Sequence, residues 1–205
     1  MKTKLLLLFL FISMSGICQT KLDTLLFNKI NEYRKSKHLK VLQWDINAYK
    51  ATKHHNDYLV EREFYSGKRF IEAAKAETLT HKRGEGQKET KIYLKSNVPY
   101  PHFEEENSVF YSCSDRYEYY SKKKHVNSAE VIAGVVECFH DSVNSKYEKL
   151  ATETLNAWKG SPKHNAILID PKYTKGCGSN SIEIVEQGFT NRKCYYVTST
   201  FMVVY

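Results

Sequence analysis

The chain has 205 residues, 41% of them hydrophobic, with 31 Lys and Arg against 23 Asp and Glu and a net charge of +8. That length and apolar content suit one domain with a sizeable core. The basic excess is scattered Lys on a solvated surface, with Lys122-Lys123-Lys124 the only tight run, and without a basic helix, zinc finger or aromatic-rich RNA motif it offers nucleic acid nothing specific to hold.

Lys2 and Lys4 precede an apolar run from Leu5 to Ile12, and mostly small residues follow to Cys18. This is the pattern of a secretory signal peptide, too short for a spanning helix. Residues 1–18 are therefore expected to be removed, leaving 19–205 as a single secreted or periplasmic domain. Acylation of Cys18 as a lipoprotein anchor ranks second, because Ile17 is a poor match for the small residue such a Cys requires. No later segment is apolar enough to be expected to span a bilayer.

Leu22, Leu25, Leu26, Lys29, Ile30 and Tyr33 recur at helical spacing and predict a first helix ending near Lys37. Asp45 is a cap for a second helix, with Ala48, Ala51, Thr52, His55 and Leu59 on its inner stripe. From Arg62 to Tyr100 the sequence is polar and weakly periodic, and reads as loops. Asn127 and Glu130 resemble a capping box ahead of Val131, Ile132, Val135, Val136 and Phe139, which predicts a third helix. Ser145 and Glu148 form a clearer box before a helix that turns Leu150, Ala151, Thr154, Leu155 and Trp158 inward. Ser161-Pro162 then reads as an N-cap followed by Pro at the first helical position, which places His164 in the first turn of a short helix. Asp170-Pro171 ends it, and Gly176-Cys177-Gly178 opens a strand. The β-branched and aromatic run from Cys194 to Tyr205 closes the chain as a strand. Helices first and antiparallel strands last make an α+β layered domain.

With Cys18 removed, Cys113, Cys138, Cys177 and Cys194 remain, an even number in an oxidising compartment. A hairpin of Gly176–Ile184 with Arg192–Phe201, turning near Val185-Glu186, sets Cys177 opposite Cys194. The expected bridges are Cys177–Cys194 and, by elimination, Cys113–Cys138.

The order of elements and motifs resembles the CAP superfamily (cysteine-rich secretory proteins, antigen 5 and pathogenesis-related proteins), or SCP domain, in its bacterial exported form. Leu26 to Arg34 resembles the opening "N-x-x-R" helix, and Leu39 to Asp45 the connector that ends in Trp-Asp. His55 to Leu59 is similar to the second helix, Glu106-Asn107 to the "G-E-N" motif, and Trp158 to His164 to "W-x-x-S-P-x-H". Gly176, Gly178 and the last strand complete the match, which covers nearly the whole mature chain. The resemblance implies a three-layer α-β-α sandwich with an antiparallel sheet and a cleft floored by His and Glu. Carried over by position, the cleft residues are His81, Glu106 and His164, with His102 as the rival of His81. The chain departs from the pattern at Glu105, which replaces the Gly of "G-E-N". It departs again at Lys159-Gly160, where many members place a second Glu after the Trp; Glu153 is too far away to be its equivalent.

Two neutral imidazoles and a carboxylate suit Zn²⁺ with one open position, so His81, His164 and Glu106 are the expected metal ligands, with no cofactor required. The same residue types also serve as a structural Glu–His pair that ties loop to helix. No Ser-His-Asp or Cys-His arrangement is visible, and bridged cysteines supply no thiol nucleophile. The expectation is a non-enzymatic secreted binding module for a small molecule, lipid or extracellular protein. The alternative is a metal-dependent hydrolase, protease-like or acting on cell wall.

Overall fold

The computed structural model describes residues 20–63, 102–104, 108–139, 143–186 and 193–205. Helix α1, Lys21–Ser36, begins at a reciprocal cap in which the Thr20 hydroxyl accepts from the Asp23 N–H and the Asp23 carboxylate accepts from the Thr20 N–H. The "N-x-x-R" residues on this helix bind backbone. The Asn31 amide accepts from the Leu42 N–H and donates to its carbonyl. The buried Arg34 guanidinium donates to the carbonyls of Lys40, Leu168, Asp170 and Tyr173. One side chain thus fixes two distant connections at once.

Strand β1, Gln43–Trp44, leads into helix α2, Ile46–Glu61, whose Asp45 cap accepts from the Asn47 and Ala48 N–H groups. The expected inner stripe of α2 is buried in full. Helix α3, Cys113–Ser121, was not expected; Ser112 and Asp115 form a capping box that marks its start in the sequence. Helix α4, Val143–Gly160, starts two residues before Ser145. Helix α5, Pro162–Leu168, has Pro at its start as expected, but the Ser161 side chain makes no capping bond.

Two expectations fail in the sheet. The segment predicted as a third helix is strand β2, Ser128–Phe139. Its Val and Ile residues do recur at three-and-four spacing, yet β-branched side chains favour an extended backbone, and twelve residues of antiparallel pairing with the last strand decide the matter. Strands β3, Lys175–Glu186, and β4, Lys193–Val204, form the expected hairpin in a different register. Because β3 runs on to Glu186, the connection lies in 187–192 and the strands slide: Cys177 faces Met202 and Cys194 faces Val185. Cys194 lies opposite Cys138 on β2, and these two form the disulfide. Both expected bridges are corrected by this, and Cys113 and Cys177 are free thiols.

The sheet order is β1-β3-β4-β2, with β1 parallel to β3 and the other pairs antiparallel. One face packs on α1 and α4 through Leu22, Leu26, Ile30, Leu150, Leu155, Trp158, Val197 and Phe201. The other packs on α2 and α3 through Ala48, Tyr49, Ala51, Tyr117, Cys177 and Met202. The result is the three-layer sandwich, with β4 central. Gly176 and Gly178 flank the Phe201 ring: a Cβ on Gly178 would meet that ring at 2.7 Å and one on Gly176 would meet the Met202 carbonyl oxygen at 2.7 Å.

Trp158 is fully buried in the first layer, so Trp158→Ala is expected to cost about 3–5 kcal/mol in chemical denaturation; a loss below about 1 kcal/mol would contradict that packing. Cysteine chemistry provides a second check. Non-reducing peptide mapping should recover Cys138 joined to Cys194. Cys177, with its thiol pushed up by burial, should alkylate only after unfolding. A Cys177–Cys194 peptide would overturn the register.

Candidate His/Glu cleft

Two buried carboxylates, a buried arginine and a buried histidine meet between α2, α3 and β2. The helical period that buries Ala48, Ala51 and Thr52 also turns His55 inward. Strand alternation turns Glu130 away from Val131 and its apolar layer, toward α3. The capping box of α3 sets Arg116 one turn into that helix, under the short stretch His102–Glu104, which is closed by a bond from the Glu104 N–H to the Tyr111 carbonyl.

The Arg116 guanidinium grips both oxygens of Glu130 through Nη2, at 3.0 and 2.9 Å, and reaches Glu104 Oε1 from Nη1 at 3.5 Å. His55 faces the same two carboxylates from the opposite side, with Nδ1 3.0 Å from Glu104 and Nε2 3.7 Å from Glu130. The groups close a ring in which each basic side chain touches both acids. His54 adds a contact to Glu104 at 3.3 Å while its ring stacks on Phe110 at a centroid distance of 4.0 Å. Burial pushes Glu104 up, but hydrogen bonds from His54 and His55 and the Arg116 charge outweigh it and bring the carboxyl down to about 2. Burial likewise pushes Glu130 up, and the charges of Arg116 and His55 with the His102 hydrogen bond bring it down to about 2.

The ring opens onto a pair of histidines. His102 Nδ1 lies 3.3 Å from Glu130 Oε2, and the His102 ring stands 6.4 Å from the ring of His164, centroid to centroid, at 72°. His164 sits half-buried in the first turn of α5, where burial and then the neighbouring His102 lower its pKa. Its free base therefore persists to lower pH than that of an ordinary imidazole. Beside Glu104 a cavity of about 210 Å³ opens, lined by Tyr58, Arg62, Glu104 and Ser108.

His164 and His102, the latter named as the rival of His81, are neighbours. His81 and Glu106 lie outside the described residues. Glu130 went unrecognised because it read as part of a helix cap; its setting at the start of a β-branched run is the sign of an inward-facing strand carboxylate. Arg116, Glu104 and His55 as a charged unit were also unforeseen. Two facing imidazoles backed by a carboxylate are chemically suited to a divalent cation. Among the described residues no group of three or more His, Cys, Asp or Glu is arranged as a metal site.

The profile of the CAP family, the cysteine-rich secretory protein family, matches residues 27–183, about three-quarters of the chain. The chain belongs to this family. No curated protein matches it individually. Among solved structures, an outer surface protein from Borrelia burgdorferi is similar at 18% identity and a TM-score of 0.48, covering 91% of this chain and 95% of that one. The mixed helices and four-stranded sheet fit the CAP fold. Among the described residues of this CAP domain, no helix is long and apolar enough to cross a membrane.

The two depressed carboxyls make stability depend on acid. Each ionises near 4.5 when unfolded and near 2 when folded, so the unfolded chain binds more protons between those values. The stabilisation is complete above about pH 4.5 and is lost as pH falls toward about 2. The lowered pKa of His164 acts in the same direction from below its ordinary 6.5. Urea midpoints should therefore fall steadily on acidification, and Glu104→Gln should flatten the limb below about pH 4.5. A midpoint unchanged between about pH 7 and about pH 3 would refute the charge assignment.

Proposed function

We propose that this CAP domain is an exported binding module whose cleft takes a divalent cation, and through it a small ligand, between His102 and His164. The carrying observation is the pairing of these imidazoles, brought from the approach to α3 and from α5 to a centroid distance of 6.4 Å. Imidazoles whose nitrogens each lie about 2 Å from one zinc ion have centroids about 5–6 Å apart, so a small ring movement suffices. A bound metal would supply a Lewis-acidic anchor for ligand oxygen or nitrogen; His102 and His164 would hold it, with Glu130 orienting His102. His81 and Glu106 are the further ligands that the family resemblance offers.

Binding is favoured over hydrolysis by the state of the acids. A general base works best with a pKa near the operating pH, and Glu104 and Glu130, carboxylates of the cleft among the described residues, are held at about 2 and engaged by Arg116 and His55. Export is supported by the leader-like residues 1–18 and by the Cys138–Cys194 disulfide, a bond that oxidising compartments maintain. A small molecule, lipid or extracellular protein remains the partner class.

Calorimetry with Zn²⁺ tests the reading. Wild type should bind near neutral pH and release metal on acidification, because protons compete for imidazole. His102→Ala and His164→Ala should each weaken binding about ten-fold or more. His81→Ala and Glu106→Gln measure what the remaining candidates add. Failure of wild type to bind Zn²⁺ would sink the cation reading.

A further inference from the structure

We propose that Arg116 is a positioning residue for His102, holding its backbone directly and its ring through Glu130, so that Nε2 carries the lone pair offered to the cleft. The inference rests on the binding reading above and deepens it by naming what sets the state of one histidine.

Arg116 holds His102 at two points. Its Nη2 donates to the His102 carbonyl at 3.4 Å and also to both oxygens of Glu130. Glu130 Oε2, at 3.3 Å, faces His102 Nδ1. An ionised carboxylate only accepts, so the nitrogen facing it must be the protonated one. A neutral imidazole carries a single ring proton, which puts the lone pair on Nε2. The carboxylate is itself immobile: its side chain is 1% exposed, and its oxygens are shared among Arg116, His55 and His102. The Arg116 side chain is 0% exposed, and its Nη1 donates to the Phe110 carbonyl at 3.1 Å. The positioning element therefore sits on backbone that the α3 capping box has already ordered. His164 belongs to another element and receives none of these contacts among the described residues. It enters the cleft by the placement of α5, with its basicity reduced by burial.

Lysine does not reproduce this geometry. It carries the same charge as a point, without the planar fork in which Nη2 bonds Glu130 and the His102 carbonyl while Nη1 is fixed on the Phe110 carbonyl. Arg116→Lys keeps the charge balance around Glu104 and Glu130 while removing the directional hold, which separates positioning from simple neutralisation.

The experiment is long-range ¹⁵N–¹H correlation of imidazole nitrogens in the metal-free protein near pH 8, with His102 assigned by the signals lost in His102→Gln. In wild type, Nδ1 should be protonated and Nε2 unprotonated. A proton on Nε2, alone or together with one on Nδ1, overturns the proposal, and this readout needs no variant of the charged ring. In Arg116→Lys, the His102 signals should shift toward the Nε2-protonated form while those of His164 stay in place, and Zn²⁺ affinity should fall about ten-fold. Arg116→Lys with wild-type His102 signals and wild-type affinity also overturns it. A wild-type protein with the stated tautomer but no Zn²⁺ binding supports the positioning role and refutes the cation reading instead.

Discussion

The constraint on which the α2/α3 layer depends is that two buried carboxylates must be matched by buried partners, the Arg116 guanidinium and the His55 ring. Glu104 and Glu130 are 5% and 1% exposed at the side chain, and Arg116 and His55 are 0%. An unpaired charge there would cost several kcal/mol, so the four groups stand or fall together. They come from four places: the His102–Glu104 stretch, β2, α3 and α2. Satisfying the ring therefore fixes how α3 sits over the sheet and how the His102 stretch lies on α3. Among the described residues, the opposite face of the sheet has no such unit. There α1 and α4 pack through Leu, Ile, Val and Trp, with the partly exposed Lys29–Glu148 ion pair beside that contact. The sheet is held by oil on one side and partly by electrostatics on the other, and the cleft lies where the electrostatics are.

Central strand β4 has to serve both faces. Val197, Phe201 and Val203 belong to the apolar layer, while Thr198 and Thr200 are buried toward α2. Thr200 meets the side-chain amide of Asn56, which also contacts Ser181. Ser199 donates to Asn180, whose side chain and N–H both donate to Asp23. Buried polar groups of this kind are tolerated because each has a partner, and these partners cross between elements. Asp23 completes the α1 cap, binds β3 through Asn180 and accepts from Tyr49 of α2. A single carboxylate so links all three layers without contributing to the cleft.

Much of this was legible in the sequence, and the failures share a cause. The capped helices α1 and α2, the helix carrying Trp158 and the Pro162 start of α5 were readable because caps and helical periodicity are local properties. The closing hairpin was readable from composition, but its register depends on a connection whose length no local signal fixes. That uncertainty carried directly into the disulfides, since Cys177 and Cys194 were paired on register alone. Strand β2 was misread because Val131, Ile132, Val135 and Val136 satisfy a helical period by accident, while their β-branching pointed the other way. Once β2 read as a helix, Glu130 became a cap residue and could not be seen as the carboxylate of the cleft. The placement of His164 at the start of α5 was readable because its motif is contiguous. Its neighbour was harder to choose: what sets His102 beside it is a non-local assembly of Glu130 and Arg116.

The two cleft histidines reach their working states by opposite means. His102 is oriented by an ionised carboxylate, which stabilises a proton on the nitrogen turned away from the cleft. His164 is depressed first by burial and then by His102 itself. Burial alone would leave two imidazoles free to rotate and exchange tautomers, and a carboxylate behind each would favour protonating both. One backed and one desolvated imidazole avoids both outcomes: the pair offers one directed lone pair and one base that resists protonation. A cation bound between them would compete with protons for those two lone pairs. On the proposed reading, affinity and proton release would be coupled through the same few ångströms of structure, and Arg116, which is bonded to the His102 carbonyl and to Glu130, would govern how much of that coupling is realised.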